Sequence, residues 1–87
     1  MSKTIYVVSY TSYYDEIYNK VMAFDNIDCA IFRANNYLMD AENEMREGFV
    51  TGKNFNHYKG GYQEIEVNDN HSSTTFLISI SKFNFAK

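Results

Sequence analysis

The residues best equipped for chemistry sit together in Lys53-Asn54-Phe55-Asn56-His57-Tyr58-Lys59-Gly60-Gly61-Tyr62. Glycines let a backbone approach a ligand closely, lysines supply positive charge, and rings stack on bases or pack on a partner. Lys53, Phe55, His57, Tyr58 and Lys59 therefore form a candidate small-ligand site for a nucleotide or another anion. The stretch is not a P-loop, because Gly52-Lys53 lacks the upstream glycine and the following Ser or Thr. Its plainer reading is a solvated connection whose rings anchor it to the core.

Other reactive side chains group less well. Cys29 opens a helical stretch, where the dipole favours a thiolate, but neither His57 nor His71 is placed as its base. A small helix residue buried against the core is the plainer reading. His71, within Asn68-Asp69-Asn70-His71-Ser72-Ser73, lacks the spacing and terminal Glu of a calcium loop, and two histidines with one distant cysteine make a poor zinc set. Asp40, Glu42, Glu44 and Glu47 read as a solvated helix end. The expectation is a non-enzyme with no catalytic residues, no metal site and no cofactor.

The positioning elements follow from periodicity. Thr4–Tyr10 is rich in β-branched and aromatic residues and carries bulk on both faces, as a central strand does. Ile17–Phe24 returns with Tyr18, Lys20, Met22 and Phe24 on one face and Ile17, Asn19, Val21 and Ala23 on the other. Apolar residues then recur at helical spacing as Ile27, Ala30, Ile31, Ala34, Leu38, Ala41 and Met45, which predicts a helix over Asp25–Arg46. Asp25 or Asn26 caps its start and Gly48 stops it. Tyr62–Val67 alternates as a half-buried strand, Asn68–Ser73 reads as a turn, and Thr74–Phe83 is a last strand with Phe76, Ile78 and Ile80 on one side. The order is ββαββ: an α+β fold, a four-stranded antiparallel sheet with one helix on one face, in a single domain spanning 1–87.

One helix covers one face of such a sheet, so the other face carries the functional question. Tyr6, Tyr10, Tyr18 and Lys20 are assigned to the helix-free face as a partner-binding set, shared with Phe76 and Ile78. Exposed aromatic-aliphatic patches on small domains mark association. A homodimer is the commonest closed solution, with an edge strand extending the sheet between subunits. The plainer reading is that Tyr hydroxyls and Lys20 make this face acceptable to water.

Composition narrows the partner classes. Eight Tyr and seven Phe stand without a Trp, and Tyr suits half-exposed interfaces. Eight basic against eleven acidic residues give a net charge of −3, which argues against a generic nucleic-acid binder, since phosphate neutralisation requires a basic excess. Cys29 is the single cysteine, the Met1–Thr4 start leads into a strand without the apolar stretch of a secretory signal, and no apolar run is long enough for a membrane span. The expectation is a cytoplasmic protein.

The strings Ile5-Tyr6-Val7-Val8-Ser9-Tyr10 and Lys20-Val21-Met22-Ala23-Phe24-Asp25-Asn26-Ile27-Asp28-Cys29-Ala30 resemble short tailed-phage proteins in which a β-hairpin ends at a Phe-Asp/Ser cap and opens an Ala-containing helix. The resemblance covers roughly the first half of the chain. In size and Asn/Lys/Tyr-rich composition the chain is also similar to small phage inhibitors of host factors, including anti-CRISPR and other anti-defence proteins. The resemblance implies a host or defence protein as partner, met in the host cytoplasm.

Overall fold

The computed structural model describes residues 2–13, 17–44, 53–68 and 74–86. Strand β1 (Ser2–Ser12) is followed by β2 (Tyr18–Phe24), helix α1 (Ile27–Glu44), β3 (Tyr62–Asn68) and β4 (Thr74–Ala86). The strands form one antiparallel sheet in the order β2-β1-β4-β3. This is the ββαββ α+β architecture, with α1 packed on one face.

The two long strands occupy the centre, in keeping with bulk on both faces of β1. They pair along their whole length, from Ser2 opposite Ala86 to Ser12 opposite Phe76. The outer strands are shorter: β2 reaches only to Tyr6 and β3 only to Ser81. The ends of β1 and β4 therefore extend past the four-stranded sheet as a two-stranded arm. That arm includes Asn84 and Phe85, which continue the last strand beyond the expected Phe83.

Asn26 is the cap of α1. Its Oδ1 accepts the N–H groups of Asp28 at 2.8 Å and Cys29 at 3.2 Å, satisfying donors that the first turn leaves free. The expected stop at Gly48 lies outside the described residues, as do Met45 and His71. Ala30, Ala34, Leu38 and Ala41 are buried against the sheet, and Ile27 and Ile31 pack at its margin. Three alanines in this stripe let the helix axis approach the strands closely. Tyr37 joins them, with its ring stacked on that of Tyr10 at 5.1 Å.

The sheet side of the core is Val8 and Tyr10 of β1, Phe76, Ile78 and Ile80 of β4, and Ile65 and Val67 of β3. Register aligns them in rows: Val8 lies opposite Ile80, and Ile78 lies opposite both Tyr10 and Ile65. Phe55 and Tyr58, from the segment before β3, complete the buried set.

Candidate functional site

Strand alternation settles which side chains meet the helix. With Val8, Tyr10, Phe76, Ile78 and Ile80 buried under α1, their neighbours point to the opposite face. Across that face run three rows: Asn19, Thr11, Leu77 and Glu66; Val21, Ser9, Ser79 and Glu64; Ala23, Val7, Ser81 and Tyr62. Ile5 opposite Phe83 and Lys3 opposite Phe85 carry the face out along the arm.

The expected set Tyr6, Tyr10, Tyr18 and Lys20 does share a face with Phe76 and Ile78, but it is the face that carries the helix. Tyr10 is buried between the rings of Tyr37 and Phe76, centroids 5.1 and 5.8 Å away. Tyr18 meets Tyr10 edge-on at 6.0 Å, and Tyr6 meets Tyr58 edge-on at 6.3 Å. Lys20 Nζ sits 5.9 Å from the Tyr10 ring centroid and 5.7 Å from that of Tyr18. The misassignment has a physical cause. β1 carries large groups on both faces, so it does not by itself say which face is inside. β3 does: Ile65 and Val67 alternate with Glu64 and Glu66, and their pairing with Ile78 and Phe76 fixes the even-numbered face of β4, and through it that of β1, as the core side.

Tyr10, Tyr18 and Lys20 line a cleft of about 460 Å³ between β2 and α1, closed on the helix side by Tyr37, Asp40, Asn43 and Glu44. Burial, then the hydrogen bond and proximity of Tyr18 and the negative field of Asp40 and Glu44, push the Tyr10 phenol well above the usual tyrosine range. A phenol held neutral in this way is neither a base nor a nucleophile at physiological pH. Lys20 is already engaged by rings of its own chain.

The candidate anion loop is built as an anchor. Phe55 and Tyr58 are buried in the core, so two of its rings are not available for stacking on a ligand. Asn35 of α1 fastens the segment: its Oδ1 accepts the Phe55 N–H at 2.8 Å, and its Nδ2 donates to Asn56 Oδ1 at 2.8 Å. The Tyr58 N–H closes a turn onto the Phe55 carbonyl at 3.0 Å, and the Tyr58 hydroxyl donates to the Gly61 carbonyl at 2.9 Å. Gly60 and Gly61 take φ of 113° and 87°, values that favour glycine, and lead the chain into β3. Lys53, His57 and Lys59 remain exposed, but Lys53 and His57 share their shallow depression with the carboxylate of Glu64. An anion there meets a like charge.

Cys29 is exposed rather than buried in the core. It lines a shallow recess with Phe24, Asp28, Phe32 and Arg33, which holds no histidine. Among the described residues no cluster of three or more His, Cys, Asp or Glu side chains could hold a metal ion. No described helix is long and apolar enough to cross a membrane.

The face opposite the helix retains a ring-bearing surface made of residues other than those expected. Phe83 and Phe85 are 48% and 52% exposed, and they flank Ile5 and Val7, which are only partly covered. Tyr62 is 64% exposed at the β3 edge, its hydroxyl donating to Glu64 Oε2 at 2.5 Å. That bond, with some burial and the Glu64 charge, raises the Tyr62 phenol above its ordinary range, so Tyr62 presents a neutral ring. Toward the other end the face is mostly hydrophilic, with Ser9, Thr11, Ser79, Glu64 and Glu66 around Val21 and Leu77. The sequence signal for the apolar end was present in Phe83-Asn84-Phe85, whose period-two rings continue the strand.

Comparison with protein-family models, with curated proteins and with solved structures finds no match to this chain.

Proposed function

We propose that this chain is a non-enzymatic protein-binding module that acts by steric occlusion, with the helix-free face as its recognition surface. The observation that carries the reading is the pair of half-exposed rings, Phe83 and Phe85, set beside Ile5 and Val7 on a face that no described element covers. Aromatic rings on a rigid sheet supply large contact area at low conformational cost and are the usual anchors of a protein interface. The arm formed by β1 and β4 carries these rings past the body of the domain, so they reach a partner without the helix interfering.

Charge on the same face gives direction. Lys3 lies beside Phe85 on the arm and Glu64 and Glu66 lie at the far edge, on β3, while the helix carboxylates Asp40 and Glu44 line the cleft on the opposite side. The partner surface that fits is an apolar patch with basic residues to one flank, the charges steering approach and the rings supplying affinity. The similarity of the first half to short tailed-phage proteins supports a host or defence protein as the partner, inhibited because its own contact surface is occupied.

Capture from a bacterial lysate with the tagged chain, beside the double variant Phe83→Ser/Phe85→Ser, tests the reading. A protein retained by the parent chain and lost with the variant is expected, with melting temperatures close to each other because both rings are already half in water. The same proteins recovered with parent and variant would remove the face from consideration.

A further inference from the structure

Among the described residues the sheet has two outer strands, β2 and β3, and an unpaired strand edge offers its N–H and C=O groups to any strand that fits. The two edges differ in what a second copy of the same strand would meet. In an antiparallel pair related by a two-fold axis normal to the sheet, opposed residues lie equally far either side of the axis and point to the same face. The axis must therefore pass a residue.

In the central registers of β3 such pairing is opposed by charge. An axis at Ile65 sets Glu64 against Glu66 of the second copy, and an axis at Glu64 or Glu66 sets that carboxylate against its own counterpart. Like charges directly opposite are destabilising. On β2 the middle residue is Val21, 60% exposed on the helix-free side. An axis there matches Val21 with Val21, Lys20 with Met22, Asn19 with Ala23, and Tyr18 with Phe24. No like charges oppose one another, and an aromatic pair closes each end. The one charge on the strand, Lys20, is drawn over the rings of Tyr10 and Tyr18, so it guards the edge poorly.

We propose that β2 is a homodimer interface, pairing antiparallel with β2 of a second copy about Val21 to form one continuous sheet of eight strands. Tyr18 and Met22, which α1 leaves exposed, meet Phe24 and Lys20 of the second copy on the helix side of the joined sheet. Phe83 and Phe85 remain free in the dimer, so this interface stands independently of the partner-binding reading.

Sedimentation equilibrium of the full chain tests it, with Val21→Lys, Val21→Glu and an equimolar mixture of the two. Each variant alone should dimerise at least about tenfold more weakly than the parent, because like charges meet on the axis, and the mixture should recover the dimer. In a Cys29→Ser background, Val21→Cys should form an intermolecular disulfide under mild oxidation, since directly opposed residues lie about 4.5–5.5 Å apart between Cα atoms. A monomeric parent chain, single variants that dimerise as tightly as the parent, a mixture that stays monomeric, or a Val21→Cys protein that does not cross-link would each overturn the assignment.

Discussion

At the scale of single residues, Tyr10 shows how the core shapes chemistry. Its ring is the floor on which Tyr37, Phe76 and Tyr18 meet, and its buried phenol is pushed toward the neutral form. A tyrosine whose folded-state pKa is raised contributes stability that is fully present below the unfolded value of about 10 and is lost as pH rises past it. Urea midpoints measured from about pH 8 to about pH 11 should therefore fall toward the alkaline end, and fall less steeply in Tyr10→Phe. Equal slopes in the two proteins would show that the phenol is not desolvated. Truncation is a different matter: Tyr10→Ala should cost about 3–5 kcal/mol in urea unfolding, the range for emptying an aromatic site in a packed core. The chemistry of this residue was not legible in the sequence, where Tyr10 is one of eight tyrosines and reads equally well as a surface ring. Its burial depends on Tyr37, which extends the stripe from Ala34 at i+3 but stands outside the run of small and aliphatic residues that announces the helix.

Among the elements, what could be read from the sequence depended on whether a segment had one apolar face or two. Helix α1 and strand β3 each carry a single buried face, so period and burial agree, and the ββαββ order follows. β1 has Ile5 and Val7 on one side and Tyr6, Val8 and Tyr10 on the other. Its pattern identifies a central strand and leaves the helix side undetermined. That ambiguity passed to the candidate site: Tyr6, Tyr10, Tyr18 and Lys20 were grouped on one face as they are in the fold, and assigned to the wrong side of the sheet. Cross-strand register, which no single strand contains, resolved it. The segment before β3 was opaque for another reason. Phe55 and Asn56 are tied by hydrogen bonds to Asn35, a helix residue 20 and 21 positions earlier, a link without periodicity. Removing that link in Asn35→Ala leaves the part-buried Phe55 N–H without its acceptor and should lower stability by about 1–2 kcal/mol in urea or thermal unfolding. An unchanged melt would mean the loop is anchored by its rings alone.

The whole molecule is asymmetric in a way that bears directly on recognition. One face of the sheet is sealed by α1 and the loop before β3. No described element covers the other, which is mostly hydrophilic at one end and aromatic along the arm at the other. The outer side of the helix also exposes a ring, Phe32, and, seven residues on, Met39, so exposure alone does not locate the partner. Side-chain footprinting of the chain alone and with its captured partner separates the two surfaces in one measurement. Labelling at Phe83, Phe85 and Tyr62 should fall in the complex while Phe32 and Met39 label as before. Protection at Phe32 and Met39 with Phe83 and Phe85 unchanged would place the partner on the helix and contradict recognition by the open face of the sheet.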